Sequence, residues 1–174
     1  VYISPEENPA EAAAFLQERL CEEGINYSLD TAGCEEEDWI NNWKKYFHPI
    51  PVGEKLLIRP AWEELPEAQG RTVLNLEPGL AFGTGTHETT RLCLKLLERY
   101  VFPGCTVLDI GCGSGILAVA ALLLGAGKGV GVDIDELAVK TAVENARLNG
   151  VDSRFTAICG NLTEKVTGSY HIVV

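Results

Sequence analysis

From Cys105 to Val174 short apolar runs alternate with helical patterns, and that alternation narrows the fold more than any other feature. "CTVLDI" reads as a fully buried strand. "GILAVAALLLGA" is a helix apolar all round, so it must be packed on more than one side. "GVGVD" is a second strand, and "ELAVKTAVENARLNG" a second helix whose Asn149-Gly150 end suits a left-handed cap. "RFTAIC" and "YHIVV" supply a third and a fourth strand. Strands and helices in this order predict a parallel sheet with right-handed crossovers, an α/β fold of the doubly wound, Rossmann-like class.

The first strand runs into "LDIGCGSGIL", which places Gly111, Gly113 and Gly115 between strand and helix. Backbone N–H groups at such a junction can approach a ligand closely because no side chain blocks them. The dinucleotide fingerprint G-x-G-x-x-G is not met, since Ile116 occupies its last position; the form present is D-x-G-x-G-x-G from Asp109. Asp133 ends the second strand about twenty residues later, where a carboxylate can accept hydrogen bonds from both hydroxyls of a ribose. Tight packing alone would explain a glycine turn but not Asp133, so an adenosine ligand is expected. Asp109 can attract an ammonium group, which S-adenosyl-L-methionine has and NAD lacks; the competing reading is that it caps loop amides. Ile134 can cover the base with apolar surface. Asn161, in "CGNLT" after the third strand, can read the adenine edge or serve as a turn residue.

Upstream, residues 1–33 read β-α-β. "VYI" precedes a helix with Asn8 as N-cap, Pro9 at its first position and Gly24 as its stop, and "INYSLDTAG" follows as a strand. This stretch is too small to stand alone and is expected to be the remainder of an α+β domain. Residues 34–53 read as a linker helix up to about Phe47, ended by Pro49 and Pro51, with Trp39 and Trp43 on one face as a dry contact or a stacking platform. Residues 54–174 form the α/β domain. In it "KLLIRP" and "TVLNLEP" are expected to pair as a hairpin, and a helix from about Thr86 to Tyr100 to bury Leu92, Leu96 and Leu97.

Six cysteines without a C-x-x-C pair read as reduced core thiols of a cytoplasmic protein, and no metal site is expected. Fourteen Lys and Arg against twenty-five Asp and Glu leave a charge of −11, which repels nucleic acid and favours a basic partner, or serves solubility alone. No window nears the ~18 apolar residues of a membrane span, so no membrane partner is expected. There is no methionine and the last residues look like mid-strand, so both ends are read as cut from a longer protein.

"NNWKKYFHPIPVG", "GLAFGTGTHETTRLCL" and "LDIGCGSGILAVAALLLGA" together resemble the methyltransferase family that modifies ribosomal protein L11, over about Trp39 to Val174. "FGTGTHETT" is the more specific signal, since most S-adenosyl-L-methionine methyltransferases share the glycine turn. The resemblance implies a class I methyltransferase, here C-terminally incomplete. Its small N-terminal domain grips the ribosomal protein, and methyl groups go to lysine side chains and the N-terminal amine. It implies S-adenosyl-L-methionine as cofactor, a basic, lysine-rich ribosomal protein as partner, and cofactor contacts at Thr90, Gly111 and Asp133. A further family contact, an asparagine after the fourth strand, falls past Val174. On this reading Thr86 N-caps the helix, Glu88 complements its dipole, and Thr90 points a hydroxyl at the cofactor. Gly83 and Gly85 let the segment before the helix act as a lid. His87 stays open between cap, substrate contact, exposed residue and general base. Because a sulfonium becomes neutral as it gives up its methyl group, no indispensable nucleophile is expected. Two rivals share the glycine turn. One is a methyltransferase of the same fold acting on a glutamine side chain, a nucleic acid base or a small molecule; the other is a nucleotide-binding Rossmann domain without methyl transfer.

Overall fold

The computed structural model describes residues 8–30, 47–64, 68–77, 85 and 87–174. The chain divides into two compact units, Val1–Tyr46 and Phe47–Val174. In the first, α1 spans Pro9–Glu22 with proline in its first turn, where a missing N–H costs nothing. It ends on Gly24 at φ +66°, with Ile25 N donating to the Leu20 carbonyl and Gly24 N to that of Cys21, a Schellman stop. Residues 25–30 carry no strand. "VYI", residues 31–33 and both linker tryptophans lie outside the described residues.

The second unit holds two sheets. In the smaller, β1 (Ile50–Val52) and β2 (Leu56–Pro60) are antiparallel, and β3 (Thr72–Leu76) runs parallel to β2, with Ile58 opposite Leu74. The expected hairpin between β2 and β3 is therefore corrected: the hairpin is β1–β2, and only its first strand falls within the expected linker, residues 34–53. The physical reason lies in β2, where Leu56, Leu57, Ile58 and Pro60 are all buried. A continuous apolar run suits a central strand covered on both faces, not one arm of an exposed hairpin.

The larger sheet has the order β6-β5-β4-β7, all parallel, from β4 (Thr106–Ile110), β5 (Lys128–Asp133), β6 (Phe155–Cys159) and β7 (Ile172–Val173). The chain winds outward from β4 to β6, then returns to the far side of β4, which is the doubly wound topology expected. Three helices accompany these strands: α2 (Glu88–Tyr100), α3 (Ile116–Leu123) and α4 (Glu136–Leu148). The all-apolar helix is α3, and its Ala118, Val119, Ala120 and Ala121 are wholly buried. Helix α2 departs from expectation. It buries Thr90, Leu94 and Leu97, whereas Leu92 and Leu96 are 58% and 44% exposed. Leu92 lies about 200° round the helix from Thr90, so both cannot face the core. A polar tether holds the helix in this phase: Glu98, in its last turn, accepts hydrogen bonds from the backbone amides of Glu54, Lys55 and Leu56 in the β1–β2 turn, at 2.9–3.0 Å.

Candidate cofactor site

The turn after β4 is pinned across the sheet, since the Gly111 and Cys112 amides both donate to the Val132 carbonyl at the end of β5, at 2.8 and 2.9 Å. Two of its glycines do different work. Gly111 has φ +75° and nothing within 4 Å of a Cβ placed on it, so its backbone borders open space. Gly115, at φ +77°, faces α4; a Cβ there would come within 2.8 Å of the Ala142 Cβ.

Asp133 closes β5 and holds the turn. Its Oδ2 accepts from the Gly113 amide at 2.8 Å and its Oδ1 from the Asp135 amide at 3.0 Å. A carboxylate has about four lone-pair positions, so each oxygen keeps one for a ligand. Glycine turn and acid are thus joined by a direct hydrogen bond.

Asp109 is 2% exposed and accepts from the Ala118 amide through Oδ2 at 3.1 Å. Gly115 sits at the N-cap of α3 and has no side chain to cap with, so the strand before the turn supplies the acceptor. Asp109 thus caps an amide in the first turn of α3 rather than the loop amides of the competing reading, and Oδ2 is the oxygen it uses. Burial pushes the Asp109 carboxyl up to about 7; the Ala118 bond opposes this and the neighbouring Asp133 charge adds to it. Burial, reinforced by Asp109 and then Asp133, likewise pushes the Cys112 thiol up to about 12. Cys112 therefore stays protonated and is no nucleophile.

The rim is apolar. Ile134, next to Asp133, is 75% exposed, and Leu162 is 64% exposed with φ +47°. Sequence reasoning missed Leu162. Its signal was a bulky apolar residue in an otherwise polar loop, but a left-handed backbone at leucine is not written in composition. Asn161 donates through Nδ2 to Glu164 Oε1 at 3.0 Å, and its carbonyl accepts from the Glu164 amide, so it acts as a turn residue. These groups lie at or just past the carboxyl ends of β4, β5 and β6, with Asp133 paired to Cys159 in register. Ligands of doubly wound sheets bind at carboxyl strand ends, where the strand order reverses; here that reversal flanks β4.

Thr90 is buried in the first turn of α2. The N-cap of this helix is His87, not Thr86: its Nδ1 accepts from the Thr89 amide at 3.3 Å and lies 2.6 Å from Thr89 Oγ1. His87 has the extended backbone (φ −69°, ψ 137°) that a cap position needs. Thr86 and the lid glycine Gly83 lie outside the described residues. Gly85 is described, and a Cβ on it would lie 2.5 Å from Ile58 Cδ1 in β2 and 3.1 Å from Ile116 Cδ1 at the start of α3. Among the described residues no cluster of His, Cys, Asp and Glu could hold a metal ion, and no helix is long and apolar enough to cross a membrane.

The model of the family described as "Ribosomal protein L11 methyltransferase (PrmA)" matches residues 1–174. The chain belongs to the ribosomal protein L11 methyltransferase family. Curated members bear this out. The enzyme of that name from Pelotomaculum thermopropionicum is 50% identical over 164 residues, covering 94% of this chain and 53% of the relative. That from Clostridium perfringens strain SM101 is 48% identical over 179 aligned positions, covering 99% of this chain and 57% of the relative. The chain thus spans just over half the length of the curated relatives it matches. Among solved structures, the ribosomal protein L11 methylase of Lactobacillus delbrueckii subsp. bulgaricus superposes with a TM-score of 0.66 at 38% identity, over 73% of this chain and 65% of that one. The motif resemblance from Trp39 onward becomes family membership over the whole chain, including the N-terminal stretch where motifs were weak.

Proposed function

We propose that this chain binds S-adenosyl-L-methionine at the carboxyl ends of β4 and β5 and serves transfer of methyl groups to amino groups of ribosomal protein L11, on lysine side chains and at the N-terminus. The observation that carries it is the Gly113 N–H···Asp133 hydrogen bond, which joins the glycine turn to the acid that ends β5 in a chain of this family. The residues present fit the group. Gly111 and Gly113 offer close backbone approach, Asp133 has lone pairs left for two hydroxyls, and Ile134 and Leu162 offer apolar cover for a base. Asn161, its backbone carbonyl and Nδ2 engaged with Glu164, would offer its side-chain Oδ1 to an exocyclic amine. Asp109, buried beneath the turn, favours an ammonium group over a neutral one, and Thr90 is the hydroxyl that α2 contributes.

When bound, S-adenosyl-L-methionine supplies an electrophilic methyl group on a sulfonium. The chain's own part is orientation. A pre-aligned pair of reactants can gain roughly 7–11 kcal/mol without any acid or base, and the residues here are suited to that. Cys112 is held as a thiol, and His87 is engaged in capping α2 through Nδ1. The acceptor lysine, with an ordinary pKa of ~10.4, must shed its proton before attack, and drying of the site lowers that barrier. A charge of −11 steers a basic, lysine-rich partner and discourages nucleic acid, consistent with action in the cytoplasm, where ribosomes are assembled.

The test is to supply the chain with methyl-labelled S-adenosyl-L-methionine and offer free ribosomal protein L11 and ribosomal RNA side by side. Label on lysine side chains and the N-terminal amine of the protein is expected. Label in the RNA, or in neither acceptor, overturns the substrate assignment.

A further inference from the structure

Helix α4 turns one face, Ala142, Asn145 and Asn149, onto backbone rather than side chains. Ala142 lies beneath Gly115, as described. Asn145, 1% exposed, accepts from the Glu77 amide through Oδ1 at 2.8 Å. Its Nδ2 donates to the Glu77 carbonyl and to the Ser114 carbonyl, both at 2.9 Å. One turn on, Asn149 does the same to Asn75, accepting from its amide at 2.8 Å and donating to its carbonyl at 2.7 Å. Two side-chain amides thus stand in for a neighbouring strand along β3 and just past its end. The match is geometric: four helical residues rise about 6.0 Å and two strand residues about 6.6 Å.

The two asparagines differ in their third bond. Asn149 donates back to the Asn145 carbonyl in its own helix, at 2.8 Å, whereas Asn145 reaches Ser114 inside the glycine turn. Ser114 is wholly buried and follows Gly113, whose amide is held by Asp133. Glu77 is thereby tied to this turn, through Asn145 to Ser114.

We propose that Asn145 is a positioning residue of the cofactor site, fixing the Ser114 carbonyl to the chain leaving β3. The Gly113 amide then stays on Asp133, and the glycine turn is tied to the end of β3. This rests on the cofactor reading above. Without the Asn145 amide, the Ser114 carbonyl and both backbone groups of Glu77 lose the bonds that join them, and the turn is no longer tied to the end of β3.

The experiment compares Asn145→Ala with Asn149→Ala. Both variants lose the clamp on the β3 backbone, so both lower the melting temperature; only the first releases the glycine turn. Amide hydrogen exchange at residues 111–115, read by NMR, is expected to accelerate in Asn145→Ala and stay at the wild-type rate in Asn149→Ala. Affinity for S-adenosylhomocysteine is expected to fall about tenfold or more in the first and hold in the second. Equal exchange and equal affinity in the two variants overturn the proposal and leave the cofactor reading intact. A wild-type chain that binds no S-adenosylhomocysteine overturns the cofactor reading, while the exchange rates still decide whether Asn145 holds the turn. Should Asn145→Ala not fold, Asn145→Asp, equal in size and still able to accept from Glu77, carries the same comparison.

Discussion

Asp109 carries the clearest consequence of a single residue. Its carboxyl is raised from 3.8 to about 7, mainly by burial, so the folded chain holds a proton that the unfolded chain releases. The sign follows from linkage: between about pH 4 and pH 7 the native state binds more protons, so stability from this group falls as pH rises and levels off above 7. The slope is at most about 1.4 kcal/mol per pH unit. Denaturant melts at several pH values in this window should show a steeper loss in the wild type than in Asp109→Asn, which keeps an acceptor for Ala118 but cannot ionise. Parallel profiles for the two would remove Asp109 from the account. A ligand ammonium reverses the preference by favouring the carboxylate, so affinity for S-adenosylhomocysteine should climb as pH approaches 7 in the wild type and stay flat in the variant.

At the scale of elements, what decides position is polar bonding over long sequence separations, and this is also where sequence reading stopped. The β4–α3–β5–α4–β6 series was legible because short β-branched runs alternate with longer apolar or amphipathic stretches between glycine turns, so length and punctuation tell strand from helix. The parallel pairing of β2 with β3 was not, because a short apolar run does not encode the direction of its neighbour. Helix α2 was recognised but misphased, since leucines sit on both its faces and the choice between them is made by Glu98. That carboxylate holds three amides of the β1–β2 turn, and a Cβ on Gly53 would overlap it. Glu98→Ala is expected to cost about 1–2 kcal/mol, the lower part of the range for orphaned amides because two of these bonds are solvent-exposed. A lowered urea midpoint with an unchanged slope would match. An unchanged midpoint would mean that the clamp does not set the phase of α2.

For the molecule as a whole, the glycine turn and Asp133 were readable because a tight strand-to-helix turn favours glycine and an acid that ends the next strand stands out in the sequence. Leu162 and Asn145 were not, since a positive φ at leucine and a buried amide spanning from α4 to Glu77 belong to the folded chain alone. The central claim is that a chain covering about half the length of its relatives already contains the adenosine-binding half of a methyltransferase. Calorimetric titration of S-adenosylhomocysteine into the wild type and into Asp133→Ala tests it most directly. Saturable one-site binding is predicted for the wild type, weakened about a hundredfold by loss of the charged acceptor. Equal affinity in the two proteins, or binding of NAD with none of S-adenosylhomocysteine, would contradict it.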